Sequence, residues 1–131
     1  MGCNSHLAIE YKEEDDSYWR GWGINIAESR WYTLYNALAG VRGNGECKPK
    51  TANRGRPEDI SYEGKHFYQY CDAYIGVHSE TWLLQREFKN AYDSVADNKD
   101  DSEWNTLDRV LTLLGKRYGP KNVRLLICFD N

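Results

Sequence analysis

No run in the sequence approaches the roughly 18 apolar residues that a membrane-spanning helix needs, so no spanning segment is expected. The four cysteines, at 3, 47, 71 and 128, include no CxxC pair. The common zinc spacings are therefore missing, and free thiols in a reducing compartment are the expectation. Positive charge is not in excess either. The formal net charge is −3, with Glu-Glu-Asp-Asp at 13–16 and five acids against Lys99 alone between Asp93 and Glu103. Such a balance excludes a long nucleic acid as the partner, because phosphate-backbone binding needs a broad basic face. There is no internal repeat and no low-complexity tract, which excludes solenoids and disordered linkers. Gly2 follows Met1, but residue 6 is His where a myristoylation signal wants Ser or Thr, so no lipid anchor is expected. The first ten residues read as folded strand rather than as a secretory leader, which makes a cytoplasmic location the expectation.

Aromatic rings are plentiful. Five Trp and ten Tyr stand among 131 residues, of which 40% are apolar. That is too much buryable surface for a disordered chain and enough for one domain over 1–131. Residues 6–12 alternate, with Leu7, Ile9 and Tyr11 on one side and His6, Ala8 and Glu10 on the other, the period of a strand. His6 and Glu10 then share a face about 13 Å apart and line a surface without touching. Asp15-Asp16-Ser17 reads as a turn, and 18–26 as a second strand hairpinned to the first. Ser29 is the expected N-cap of a helix over 30–39, with Gly40 as its C-cap. Residues 41–65 hold four glycines and two prolines with little apolar content, a long irregular loop of the kind that carries binding residues.

Residues 66–75 fit either a helix face or, at 73–77, a short strand. A helix is predicted over about 81–96, so that His78 and Ser79 stand at its entrance. A helix over 103–118 capped by Ser102 follows. The nearly continuous apolar run NVRLLICF at 122–129 predicts a central strand buried on both faces. The fold class expected is α/β (α+β), a small, mainly antiparallel sheet with three or four helices packed on it.

Three groups of residues could do chemistry. Cys3 and His6 could pair a thiolate with its base, and Cys3, His6, Glu10 and His78 are equally of metal-ligand type. His78 and Ser79, at a helix entrance, could share an anion with free backbone N–H groups. Arg54 and Arg56 lie in a locally basic stretch, where Arg42, Lys48, Lys50, Arg54 and Arg56 face only Glu46. Arginine forks hold phosphate in a bidentate grip, and Asp59 could orient such an arginine. Trp22, Tyr62 and Trp82 are candidate rings for stacking a base.

Several motifs in order carry a resemblance: the opening MGCNSHLAIEY, LAGVR at 38–42, the pattern Arg54, Gly55, Pro57, Asp59, Ser61, then His78, Ser79, Thr81, Trp82, and the closing NVRLLICFDN. The chain resembles a group of small phage-encoded proteins that open with a Met-Gly-Cys-Asp-Ile-His-like motif. It departs from them at Asn4 and Ser5, where Asp and Ile are usual, which favours binding over catalysis. The resemblance brings no activity with it, but it implies a phage protein acting in the infected bacterial cell, where small proteins often counter host defence.

The expectation is a binder of a small phosphorylated, nucleotide-like molecule, an anti-defence sponge for a host signalling nucleotide. Its ligand residues would be His6, Glu10, Arg54, Arg56, His78, Ser79 and Trp82, and neither cofactor nor metal is expected. A homo-oligomer with sites between subunits would suit such a sponge. The alternatives are a hydrolase or phosphodiesterase using Cys3, His6 and His78, and an inhibitor that binds a host protein.

Overall fold

The computed structural model describes residues 2–25, 27, 29–42, 53–95 and 103–131. It is an α+β fold, a four-stranded antiparallel sheet with four helices packed on it. The strands are β1 (Asn4–Tyr11), β2 (Arg20–Ile24), β3 (His78–Leu84) and β4 (Val123–Asp130), in the order β2-β1-β4-β3. The helices are α1 (Tyr32–Ala39), α2 (Tyr62–Asp72), α3 (Gln85–Val95) and α4 (Glu103–Tyr118).

β4 lies inside the sheet between β1 and β3, and all eight of its residues are buried, which is why its sequence reads as an apolar run rather than an alternation. Its odd-numbered residues Val123, Leu125, Ile127 and Phe129 join Leu7, Ile9 and Leu83 against α1, α3 and α4, where Tyr35, Phe88, Tyr92 and Trp104 fill the main core. Each such side chain withdrawn from water contributes about 2 kcal/mol. Its even-numbered residues face the other way. There Leu126 and Cys128 pack with Ala8 against Phe67, Tyr68 and Cys71 of α2.

The second face is therefore apolar only in its middle. His6 and Asp130 stand at one end of it and Glu10 and Arg124 at the other, all four buried. α2 lies over the middle and divides the face into two polar ends.

The structure shifts several predicted elements. The segment from Thr81 to Leu84 is strand, not helix. Thr81 and Leu83 are buried opposite Ile127 and Leu125 while Trp82 and Leu84 are half-buried, so pairing with β4 overrides the helical spacing, which begins to hold only at Phe88. No short strand forms at 73–77, where turns run through Gly76 at φ 76°. Ser29 does not cap α1. Trp31 occupies that position without a side-chain bond, and the Ser29 amide and hydroxyl both donate to Glu103 at 2.8 Å. Gly40 closes α1 in the left-handed region as expected, at φ 71°. The irregular stretch ends earlier than predicted, because Ser61 caps α2 by accepting from the Gly64 amide at 2.8 Å. The predicted cap Ser102 and the loop residues 43–52 lie outside the described residues.

Gly64 sits where the first turn of α2 meets β1. A Cβ there would stand 2.7 Å from the Glu10 carboxylate and 2.6 Å from Ile60. Helix propensity alone gives Gly→Ala a gain of about 1 kcal/mol. The carboxylate is fixed by other bonds, so the clash outweighs that gain, and Gly64→Ala is expected to lower unfolding free energy by about 2 kcal/mol. Urea denaturation measures it, and a stabilised variant would show that α2 can lift from β1 at little cost.

Candidate functional site

At the Glu10 end, Arg124 is the centre of a layered cluster. Its Nε donates to Glu10 Oε1 at 2.6 Å and its Nη1 to Asp59 Oδ1 at 2.9 Å. The Trp19 indole donates to the other Asp59 oxygen at 3.0 Å. The Arg124 guanidinium lies 3.9 Å from the Trp19 ring centre and 5.4 Å from that of Trp82. Arg54 stacks on Trp82 at 4.4 Å. Two indoles and two guanidinium groups thus alternate, each cation against a π-face.

Arg54 is fixed by a bidentate pair with Glu87 at 2.7 and 2.6 Å and by the Trp82 carbonyl at 3.0 Å. Its backbone amide donates to the Thr81 hydroxyl at 3.0 Å. Arg56 bonds Glu80 at 2.7 and 2.8 Å, reaches Asp72, and covers the Tyr68 ring at 4.6 Å. Among the described residues the buried Tyr68 hydroxyl has no hydrogen-bond partner, and burial pushes its pKa up, so it stays a proton donor. Trp19, Arg54, Arg56, Asp59, Trp82 and Arg124, with Pro57, Glu58 and Leu84, line an open groove of about 560 Å³.

The expected phosphate grips Arg54 and Arg56 do converge on this groove with Trp82, but both guanidinium groups are held by the chain's own carboxylates. Glu10 lies beneath the groove, fully buried, and holds Arg124 and the Ser61 amide at 2.7 Å. Of the candidate rings, Trp22 and Tyr62 are exposed elsewhere.

The other end gathers Cys3, His6, His78 and Ser79, though not as one cluster. His6 Nε2 bonds the Asp130 carboxylate, and the Tyr74 and Tyr70 rings lie 4.5 and 5.8 Å from its imidazole. The two phenols share a hydrogen bond at 2.7 Å, which pushes the Tyr70 pKa up to about 12. Asn4 reaches Asp130 at 3.4 Å and accepts from Arg30 at 2.9 Å.

His78 pairs with Phe129 and stacks on its ring, so it belongs to the opposite face of the sheet from His6. Its Nδ1 lies 2.9 Å from the Ser79 hydroxyl and its Nε2 3.2 Å from Asn131 Oδ1. The amide oxygen only accepts, so Nε2 carries the proton and Nδ1 accepts from Ser79. Ser79 has φ 56°, one of three positive-φ non-glycine residues described, with Asn25 and Arg42. Because His78 and Ser79 open a strand, the helix-entrance anion site expected there does not exist. Cys3 is fully buried, and burial raises its thiol pKa despite the nearby Arg42. Among the described residues no group of three His, Cys, Asp or Glu side chains converges as a metal site, and no helix is long and apolar enough to cross a membrane.

Comparison with protein-family models, curated proteins and solved structures returned no match.

Sequence reasoning missed Trp19, Arg124 and Asp130. Arg124 carried a signal, since a lone charge within an apolar central strand requires a buried partner. Glu10, on a strand read as amphipathic, was the available one.

The groove's carboxylates set an acid limit on stability. Hydrogen bonds from Arg54 hold Glu87 below the ordinary 4.5. Burial would raise Asp59, but Arg124 and Trp19 outweigh it and hold the carboxyl below the ordinary 3.8. The unfolded chain therefore binds more protons in this range, so the stabilisation is complete above about pH 5 and is lost as pH falls through the depressed folded values. Arg54→Ala is expected to cost about 2 kcal/mol near neutrality and to lose less between about pH 5 and pH 3 than the wild type. Denaturant melts across that range test it, and equal acid slopes would remove Glu87 from the account.

Proposed function

We propose that the protein binds a small phosphorylated molecule carrying a planar base, in the groove between Trp19, Trp82, Arg54, Arg56 and Arg124. The observation that carries this reading is the convergence of three guanidinium groups and two indoles on one groove of about 560 Å³, within the usual range of small-molecule sites. Planar rings stack on indole, and arginine forks match phosphate oxygens.

The internal carboxylates do not forbid this. Asp72 and Asp59 are 52% and 65% exposed at the side chain. A phosphate would displace one of them, and the released carboxylate would return to water at little cost. Glu87, Glu80 and Glu10 would stay in place and keep the forks aimed. With the resemblance to phage proteins, the reading becomes sequestration of a host signalling nucleotide.

The test is thermal unfolding against cyclic dinucleotides, cyclic trinucleotides, ADP-ribose isomers and NAD, with each ligand recovered and chromatographed. A ligand at 100 times its dissociation constant stabilises by about 2.7 kcal/mol, a shift of several degrees. We expect such a shift with the ligand unchanged, and Arg56→Ala or Trp82→Ala to weaken binding about tenfold. No shift across the panel would sink the reading.

A second reading has its own support. The Ser79 hydroxyl donates to His78 Nδ1 from a strained backbone, the arrangement of a serine nucleophile and its base. Ser79 Oγ would attack phosphorus or an acyl carbon as His78 takes its proton. The leaving oxygen would depart with that proton, and water would then release the serine ester. Ser79 stands here where Cys3 was expected, because a fully buried thiol meets no substrate. A fluorophosphonate probe should add covalently at Ser79 in the wild type and not in Ser79→Ala. An unlabelled Ser79 under forcing probe concentrations rules this chemistry out.

A further inference from the structure

Cys71 lies in the last turn of α2 and Cys128 in β4, 57 residues apart in sequence. Their Sγ atoms are 2.8 Å apart, and both residues are fully buried against Ala8, Phe67, Tyr68 and Leu126. Two thiols packed in an apolar core ordinarily stand further apart than this. A disulfide spans about 2.05 Å, so closing the bond needs less than about 1 Å of approach. We propose that Cys71 and Cys128 are a redox-reactive pair that a small-molecule disulfide converts to an intramolecular disulfide, locking α2 onto the sheet.

The exchange proceeds in two steps. One protein thiolate attacks a sulfur of the oxidant, forms a mixed disulfide and releases one small thiolate. The second protein thiolate then attacks the protein-bound sulfur and releases the other. The protein loses two protons and two electrons, and the oxidant becomes two thiols. Because neither sulfur is exposed, the oxidant gains access when the end of α2 lifts, so the reaction is slow and follows local opening.

The location gives the bond its consequence. The same turn of α2 presents Tyr68 and Asp72 to Arg56, and Tyr70 packs against His6. A covalent tie at Cys71 therefore restrains both polar ends of the face at once.

The test incubates the folded protein with oxidised glutathione, blocks remaining thiols, and maps the non-reduced peptides by mass. The expected result is one linked pair, Cys71 with Cys128, two hydrogen masses lighter than the separate peptides. A rise in melting temperature of about 10 °C should accompany it, and a reductant should reverse both. Cys71→Ser and Cys128→Ser should each abolish the link. The proposal is overturned if both thiols are recovered free while the unfolded chain oxidises under the same conditions. It is equally overturned if the link involves Cys3 or Cys47, if glutathione stays attached, or if the link forms with no change in melting temperature.

Discussion

Glu10 and Arg124 face each other across β1 and β4 with almost no exposure on either side chain. Withdrawing two such charges from water costs several kcal/mol each, so the pair persists only because every other bond around it is made. Arg124 divides its donors between Glu10 and Asp59. Glu10 gives its second oxygen to the Ser61 amide, at the cap of α2. There the carboxylate also faces the positive end of the helix dipole. One ion pair thus fixes the start of α2, the position of Asp59 and, through Asp59, the Trp19 indole. The Arg124 fork and the Trp19 ring are placed by this charge network beneath the groove, while Arg54 is held by Glu87 and Arg56 by Glu80 and Asp72.

That dependence explains why paired arginines are compatible with ligand binding. An arginine without a partner in a groove would sample many rotamers and lose that freedom on binding. Arg54 is locked by Glu87 and stacked on Trp82, so it defines the wall. Arg56 sits at the rim with one partner, Asp72, largely in solvent. The exposed partner is the exchangeable one. Under the proposed function, rigid inner pairs and a loose outer pair would make a site formed before a ligand arrives.

The fold was legible where side-chain period and burial agree. The NVRLLICF run, the alternation in 6–12 and the helix predicted over 103–118 all correspond to observed elements. Legibility failed at Thr81–Leu84, because a strand and the first turn of a helix can place the same apolar residues inward. Only the partner strand β4 decides between them, and that contact is not local. The site was half legible for the same reason. Arg54, Arg56 and Trp82 could be named from residue type, but their convergence with Trp19 and Arg124 depends on sheet order. His6 and His78 looked like partners in one dimension, and the pleat puts them on opposite faces.

The groove and the His78 end of the sheet differ in kind, and the difference bears on where chemistry belongs. None of the residues lining the groove has a positive φ, and the one such residue beside it, Gly55 between Arg54 and Arg56, is a glycine that tolerates it. At the far end, Ser79 and Arg42 both hold left-handed conformations that an L side chain resists, and both contact the hydrogen-bonded chain through His78 and Asn131. Strain of about 1–3 kcal/mol per residue survives only where surrounding contacts enforce it, and it concentrates at working sites. The groove has the marks of a surface shaped to hold something. The Ser79 end has the marks of side chains held in an orientation they would not choose. The two proposed activities, binding at the groove and reactivity at Ser79, would therefore be separable, because His78 lies on the opposite face of the sheet from the His6 and Glu10 that flank α2.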